Sequence, residues 1–235
     1  MKIKKTILSQ FFKKVSLNGS GDNIHKFLLD FTDAGITLTT PNTTNTSVIK
    51  GLLKKESFIE YEAIGKIGMQ NIDKIITILN SFNEEVILKV EGNLLVLKSG
   101  SRKVETELMD IQILGEQKTF PDLDKEGSEI IAIDSKLING FISDIGINKE
   151  YVLNLSTQEN KLTIKNTGTF KFTDGFDVKD LKGGVNIDFG SPFVNVFKNL
   201  TSDVTMYMKD NYPLLIVEET EDSVIQIIVA PRVKN

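Results

Sequence analysis

The residues of this 235-residue chain that come near a chemical motif each fall short by a named position. Asp122-Leu123-Asp124-Lys125-Glu126-Gly127 opens like a calcium loop, with carboxylates at alternating places and a glycine sixth. Its twelfth position is Ile133, where such a loop needs a bidentate glutamate, so the segment reads as a solvated linker. Gly19-Ser20-Gly21-Asp22 and Gly65-Lys66-Ile67-Gly68 lack the Lys-Ser/Thr that completes a phosphate-binding loop. His25 is the only histidine and cysteine is absent, which excludes thiolate chemistry, disulfides and multi-histidine metal sites. His25 reads as a surface residue at a strand start. The acid pairs Glu84-Glu85 and Glu218-Glu219 fall at turns and strand ends, with nothing to set them across a pocket. No catalytic residue, metal or cofactor is expected, and the chain does not read as an enzyme.

Hydrophobic residues make up 40% and charged residues 26%, as in soluble globular proteins. No apolar run approaches the roughly 18 residues of a membrane span. Met1-Lys2-Ile3-Lys4-Lys5 leads into an amphipathic segment and lacks the apolar core of a signal peptide, so an intracellular protein is expected. The net charge of −4 means that any nucleic-acid contact must come from a local basic surface on an acidic body.

The elements that position such a surface follow from periodicity. Helical spacing predicts four helices. They are Thr6 to Val15 (Ile7, Leu8, Phe11, Phe12, Val15), Asn71 to Phe82, Ser135 to Ile145 (Leu137, Ile138, Phe141, Ile142, Ile145) and Ser191 to Thr201. Ser191 offers a cap to the last, with Pro192 in its first turn, and Asp134 to the third. The remainder reads as strands, among them Val104 to Met109 and Thr169 to Phe172, parted by turn dipeptides such as Gly92-Asn93.

These elements repeat. Five apolar positions of the first helix recur 130 residues later in the third. Phe27, Leu29, Ile36 and Leu38 recur 126 residues on. The second helix and its hairpin, through Asn93, recur 118 residues on, ending at Asn211. A period near 120 is too long for a solenoid and means two copies of one domain. The expected order in each is β-α-β-β-β-α-β-β-β, an α+β class with helices packed on antiparallel sheets. The boundaries expected are residues 1–110, a polar linker 111–127, and residues 128–235.

Asn211-Tyr212-Pro213-Leu214-Leu215-Ile216, followed by Ile227-Ile228-Val229-Ala230-Pro231-Arg232-Val233, resembles the C-terminal end of the proliferating cell nuclear antigen family of DNA sliding clamps. Phe31-Thr32-Asp33-Ala34-Gly35-Ile36, Glu107-Leu108-Met109-Asp110 and Ser143-Asp144-Ile145-Gly146 resemble its early hairpin, the end of its first domain and the end of its third helix. Phage-type clamps share the architecture and remain open as the nearer relative.

The resemblance implies a homotrimeric ring of six domains that encircles duplex DNA without reading its sequence. Such a ring tethers a DNA polymerase and other clamp-binding peptides and is placed on DNA by a clamp loader. Location at DNA follows: nucleoid, nucleus, or the host cell if viral. Helices would line the hole, and Lys13, Lys14, Lys74, Lys136 and Lys198 would face DNA. Against Asp73 and Asp144 these leave +3 per chain, inside a ring whose three chains sum to −12. Subunits would join by strand edges, with Val104, Thr106 and Leu108 on one side and Thr169, Phe170, Lys171 and Phe172 on the other. A partner-peptide pocket would be lined by Val48, Ile49, Phe120, Pro121, Pro213, Ile228, Ala230 and Pro231. The alternative reading is a subunit of a heteromeric clamp, or a clamp-like scaffold that does not close on its own.

Overall fold

The computed structural model describes residues 1–17, 24–114, 119–146, 152–167 and 171–232. The chain divides into two compact units. The first holds Met1–Thr43, Ile49–Phe120 and Thr220–Ile225; the second holds Thr44–Val48, Pro121–Glu219 and Gln226–Asn235.

The first unit runs β1 (Lys2–Lys4), α1 (Lys5–Ser16), β2 (Lys26–Thr32), β3 (Gly35–Pro41), β4 (Ser47–Lys54), β5 (Phe58–Glu60), β6 (Gly65–Gln70), α2 (Ile72–Ser81), β7 (Glu85–Glu91), β8 (Leu94–Ser99), β9 (Arg102–Glu107) and a single helical turn α3 (Ile111–Leu114). One antiparallel sheet has the order β5-β1-β7-β8-β9, and β4-β3-β2-β6 lie side by side in another. The second unit runs β10 (Glu129–Asp134), α4 (Ser135–Ile145), β11 (Leu153–Gln158), β12 (Lys161–Asn166), β13 (Thr173–Asp177), β14 (Asn186–Phe189), α5 (Ser191–Phe197), β15 (Asp203–Met208), β16 (Leu214–Glu219) and β17 (Ser223–Val229). Its orders are β10-β15-β16-β17 and β13-β12-β11-β14. The two pairs of orders correspond strand for strand, with β5 added in the first copy. Two tandem copies of one α+β domain are therefore present.

Each copy carries more strands between its helices than the three expected: five in the first and four in the second, among the described residues. The additions hide for a physical reason. β5 is three residues long, and β6 (Gly-Lys-Ile-Gly-Met-Gln) is broken by two glycines, so neither shows a sustained period of two. Gly68 has a use there, because a Cβ would stand 2.4 Å from the carbonyl oxygen of Met109.

The core sides of the helices follow the repeat. Leu8, Phe11, Phe12 and Val15 of α1 are buried, as are Ile138, Phe141, Ile142 and Ile145 of α4. Each such side chain contributes about 1.5–3 kcal/mol of burial. The fifth pair departs from expectation: Ile7 is half-buried, and Leu137 is 51% exposed. Both sit at the margin of the stripe. Asp134 caps α4, accepting a hydrogen bond from Lys136 N at 2.9 Å. Ser191 does not cap α5; Gly190 holds the cap position without a side-chain bond, and the helix stops at Phe197. In the repeated hairpin turn, the residue matching Asn211 in conformation is Gly92, not Asn93. Gly92 and Asn211 both take the left-handed backbone, φ 63° and 54°, which costs glycine and asparagine least.

Candidate nucleic-acid interface and partner surface

In the first unit, α1 and α2 pack together, with Ser9 Oγ donating to Asn80 Oδ1 at 3.3 Å and Lys5 Nζ to the Phe82 carbonyl at 2.6 Å. The outer side of α1 presents Thr6, Gln10 and half-buried Lys13. Lys14 does not join them, being only 4% exposed. At about 100° per residue it lies roughly 60° round the helix from Phe11, so its aliphatic stem flanks the apolar stripe. Lys74 of α2 is exposed beside Asp73, whose carboxylate stands 3.0 Å from His25 Nδ1. His25 is exposed, as its position predicts.

In the second unit, α4 exposes Lys136, Leu137, Gly140, Ser143 and Asp144. Lys198 follows the last turn of α5 and is exposed, in a shallow depression shared with Asn139, Ile142, Ser143 and Gly146. An ammonium and a hydroxyl in one depression suit a phosphate oxygen without any means of reading a base. Of the five lysines, four reach solvent. The exposed helical faces otherwise carry hydroxyl, amide and glycine, with Leu137 and Asp144 as the exceptions on α4.

The pocket residues split between the units. In the first, Ile49 is fully buried and belongs to the core, while half-buried Phe120 lies under Lys50 Nζ, 5.9 Å from the ring centroid. In the second, Ile228 is 6% exposed and is also core. Alternation along β4 turns Ile49 inward, whereas Ile228 is buried on the face of β17 opposite to Ile225, Ile227 and Val229. Val48, Pro213 and Pro231 are half-buried, and Pro121 and Ala230 are exposed. Ala230 N donates to the Thr46 carbonyl at 2.9 Å, which sets the closing segment beside the residues leading to Val48.

Sequence reasoning missed the pin that fixes the linker within the second unit. Asp124 accepts from Glu126 N at 2.9 Å and from Lys209 Nζ at 3.2 Å, while its own N–H donates to the Tyr212 hydroxyl at 3.2 Å. The Glu126 N–H first, and the Lys209 ammonium second, hold its carboxyl below the usual range. The only sequence signal was the carboxylate spacing that imitates a calcium loop. Glu218 was missed as well. It is fully buried and accepts from Thr201 N and Ser202 N at 2.7 and 2.9 Å, fastening the turn after α5.

Two strand edges complete the geometry. Val104 and Thr106 lie half-buried in β9, and Leu108 is half-buried just beyond it. The opposite edge starts later than expected: the strand is Thr173–Asp177, with Lys171 and Phe172 ahead of it in no strand. Phe172 is nevertheless held, its carbonyl accepting from Asn166 N at 3.0 Å. Thr169 and Phe170 lie outside the described residues. No helix among the described residues is long and apolar enough to cross a membrane.

No protein-family model and no curated protein matches the sequence. Solved structures do match. A structure of the C-terminal region of FEN-1 bound to A. fulgidus PCNA superposes with a TM-score of 0.85 at 18% identity, covering 100% of this chain and 98% of that one. Proliferating cellular nuclear antigen from Entamoeba histolytica superposes with the same score and identity, covering 99% and 98%. The chain thus superposes along its whole length on these structures, and its fold is that of the proliferating cell nuclear antigens.

Proposed function

We propose that the chain is one subunit of a homotrimeric DNA sliding clamp, a non-enzymatic tether acting at DNA inside the cell. The observation that carries this reading is the full-length match to the fold of two such antigens, with both domain copies present. Two clamp domains, residues 1–110 and 128–235, joined by residues 111–127, make a third of a six-domain ring. Closure uses β9 of one copy and the β13 edge of the next, so each of these two edges covers the other. Lys13, Lys74, Lys136 and Lys198 supply weak contacts to phosphate, and retention comes from topology.

Partners dock by an apolar peptide on the second unit, where Val48, Pro121, Pro213, Ala230 and Pro231 reach the surface beside the pinned linker. FEN-1 is seen bound to the A. fulgidus antigen by its C-terminal region, which supports a peptide mode of capture here. Phe120, next to Pro121 in the linker, lies beneath Lys50 in the first unit. A polymerase and a clamp loader are the partners this role requires.

Light scattering across a range of concentrations tests the assembly. The expected species has three times the 26.2 kDa chain mass. A strict monomer would overturn the homotrimer.

A further inference from the structure

The hydrogen-bond phases of β9 and β13, each the end strand of its sheet, limit how a second copy can pair with them. Leu108 N donates to the Asn93 carbonyl at 2.8 Å, continuing the register in which Leu94 faces Glu107. Backbone groups alternate in direction along an antiparallel strand, so even-numbered residues of β9 bond to β8. Lys103, Glu105 and Glu107 therefore turn their N–H and C=O groups outward. The open run ends there, because Met109 N donates to the Gly68 carbonyl at 2.9 Å. On β13, Asn166 N donates to the Phe172 carbonyl at 3.0 Å and Val178 N to the Asn160 carbonyl at 2.8 Å. By the same alternation, Thr173, Gly175 and Asp177 turn outward.

We infer that β13 of a second copy seats antiparallel on β9 with Lys103 opposite Asp177, Glu105 opposite Gly175 and Glu107 opposite Thr173. The inference rests on the ring reading and adds the register and the residues that select it. This register uses all three outward positions of each edge, with the Gly175 N–H leaving Asp174 Oδ1, to which it donates at 2.8 Å in the single chain. On the exposed face, Lys103 meets Asp177. Gly175 leaves room for Glu105, and the Lys161 side chain lies over Gly175, where a Cβ would meet it, so the carboxylate arrives beside an ammonium. On the other face, Val104 meets Phe176 and Leu108 meets Phe172.

The neighbouring registers are worse on the same residues. A two-residue slip in one direction sets Glu105 against Asp177 and Leu108 against Asp174. It also asks Met109, already bonded to Gly68, to pair with Thr173. The opposite slip sets Lys103 under Lys161 and Val104 against Asp174. Like charges directly opposite are destabilising. A one-residue slip breaks the hydrogen-bond phase and exchanges the faces.

The chain has no cysteine, so introduced thiols report without background. Asp174→Cys is combined in turn with Arg102→Cys, Val104→Cys, Thr106→Cys and Leu108→Cys, and each full-length protein is mildly oxidised. In the inferred register Thr106 and Asp174 form a non-hydrogen-bonded pair, with Cα atoms about 4.5 Å apart and within disulfide reach. The expected result is that Thr106→Cys/Asp174→Cys links chains at least about tenfold faster than the other three. Fastest linkage through Arg102→Cys, Val104→Cys or Leu108→Cys overturns the register. No linkage while the mass remains that of three chains overturns the choice of edges. A monomeric mass for the unsubstituted protein overturns the ring reading itself.

Discussion

Strands β9 and β17 close the same hairpin in the two copies, yet they are built from opposite materials. β17 reads Ser-Val-Ile-Gln-Ile-Ile-Val, with Ser223, Ile225, Ile227, Ile228 and Val229 buried. β9 reads Arg-Lys-Val-Glu-Thr-Glu and buries none of its residues. The neighbours account for this. Within the first unit Lys54 N donates to the Asp222 carbonyl at 2.9 Å, and within the second Ala230 N donates to the Thr46 carbonyl, so the chain itself covers the far side of β17. β9 is the outer strand of its sheet. Charge on an open edge discourages indiscriminate pairing, and the order of those charges admits one complementary strand. One position in the repeat thus serves the core, and the other, in the proposed assembly, serves recognition.

The largest effect should come from importing the charge of β9 into β17. Ile227 is 1% exposed, and Ile227→Asp should cost about 4 kcal/mol or more, because a carboxylate is buried without a partner. Thr106→Asp in β9 should change the stability of the dissociated chain by about 0.5 kcal/mol or less. Denaturant unfolding at low protein concentration reads both, and equal losses would erase the distinction.

The next effect separates the two sides of β9. The Glu105 N–H points outward, so Glu105→Pro should leave chain stability nearly intact while raising the dissociation concentration of the assembly roughly tenfold. Val104→Pro removes a bond to β8 and should lower stability as well. Thermal melts and sedimentation distinguish them.

A smaller contrast concerns the helices that open each copy. Asp134→Ala removes the cap of α4 and should cost about 1 kcal/mol. Lys4→Ala, at the start of α1, should change little through capping, since that helix begins without a side-chain cap. Paired denaturation curves measure both.

The smallest effect is a titration. A depressed carboxylate stabilises the folded form at neutral pH, and that contribution is lost as pH falls through the folded value. Asp124 should therefore titrate below the ordinary carboxylate range. Lys209→Ala should move it upward without restoring it fully, because the Glu126 N–H contributes most. Carboxyl-carbon chemical shifts against pH measure this.

Much of the fold was legible because it is written twice. Leu8, Phe11, Phe12 and Val15 recur as Ile138, Phe141, Ile142 and Ile145, and two coincident periodicities identify a helix better than one. β5, β6 and β14 escaped because three to six residues, some of them glycine, cannot display alternation. Candidate site residues were less legible, since residue type does not fix direction. Lys14 and Lys13 are adjacent and alike, and only their place around α1 buries one of them. Ile49 and Ile228 could be named as apolar but not told apart from core. The resemblance put the second edge at Thr169 to Phe172. Backbone hydrogen bonds, which sequence does not show, set the strand at Thr173–Asp177.

The most direct measurement of the central claim uses topology. Dissociated chains are concentrated in the presence of nicked circular plasmid, so that rings close around it, and then passed through a sizing column at high salt. The clamp account predicts retention on the circle at a salt concentration that screens the lysine contacts, and release after a single double-strand cut. Equal retention on circular and linear DNA, or none on either, would contradict it.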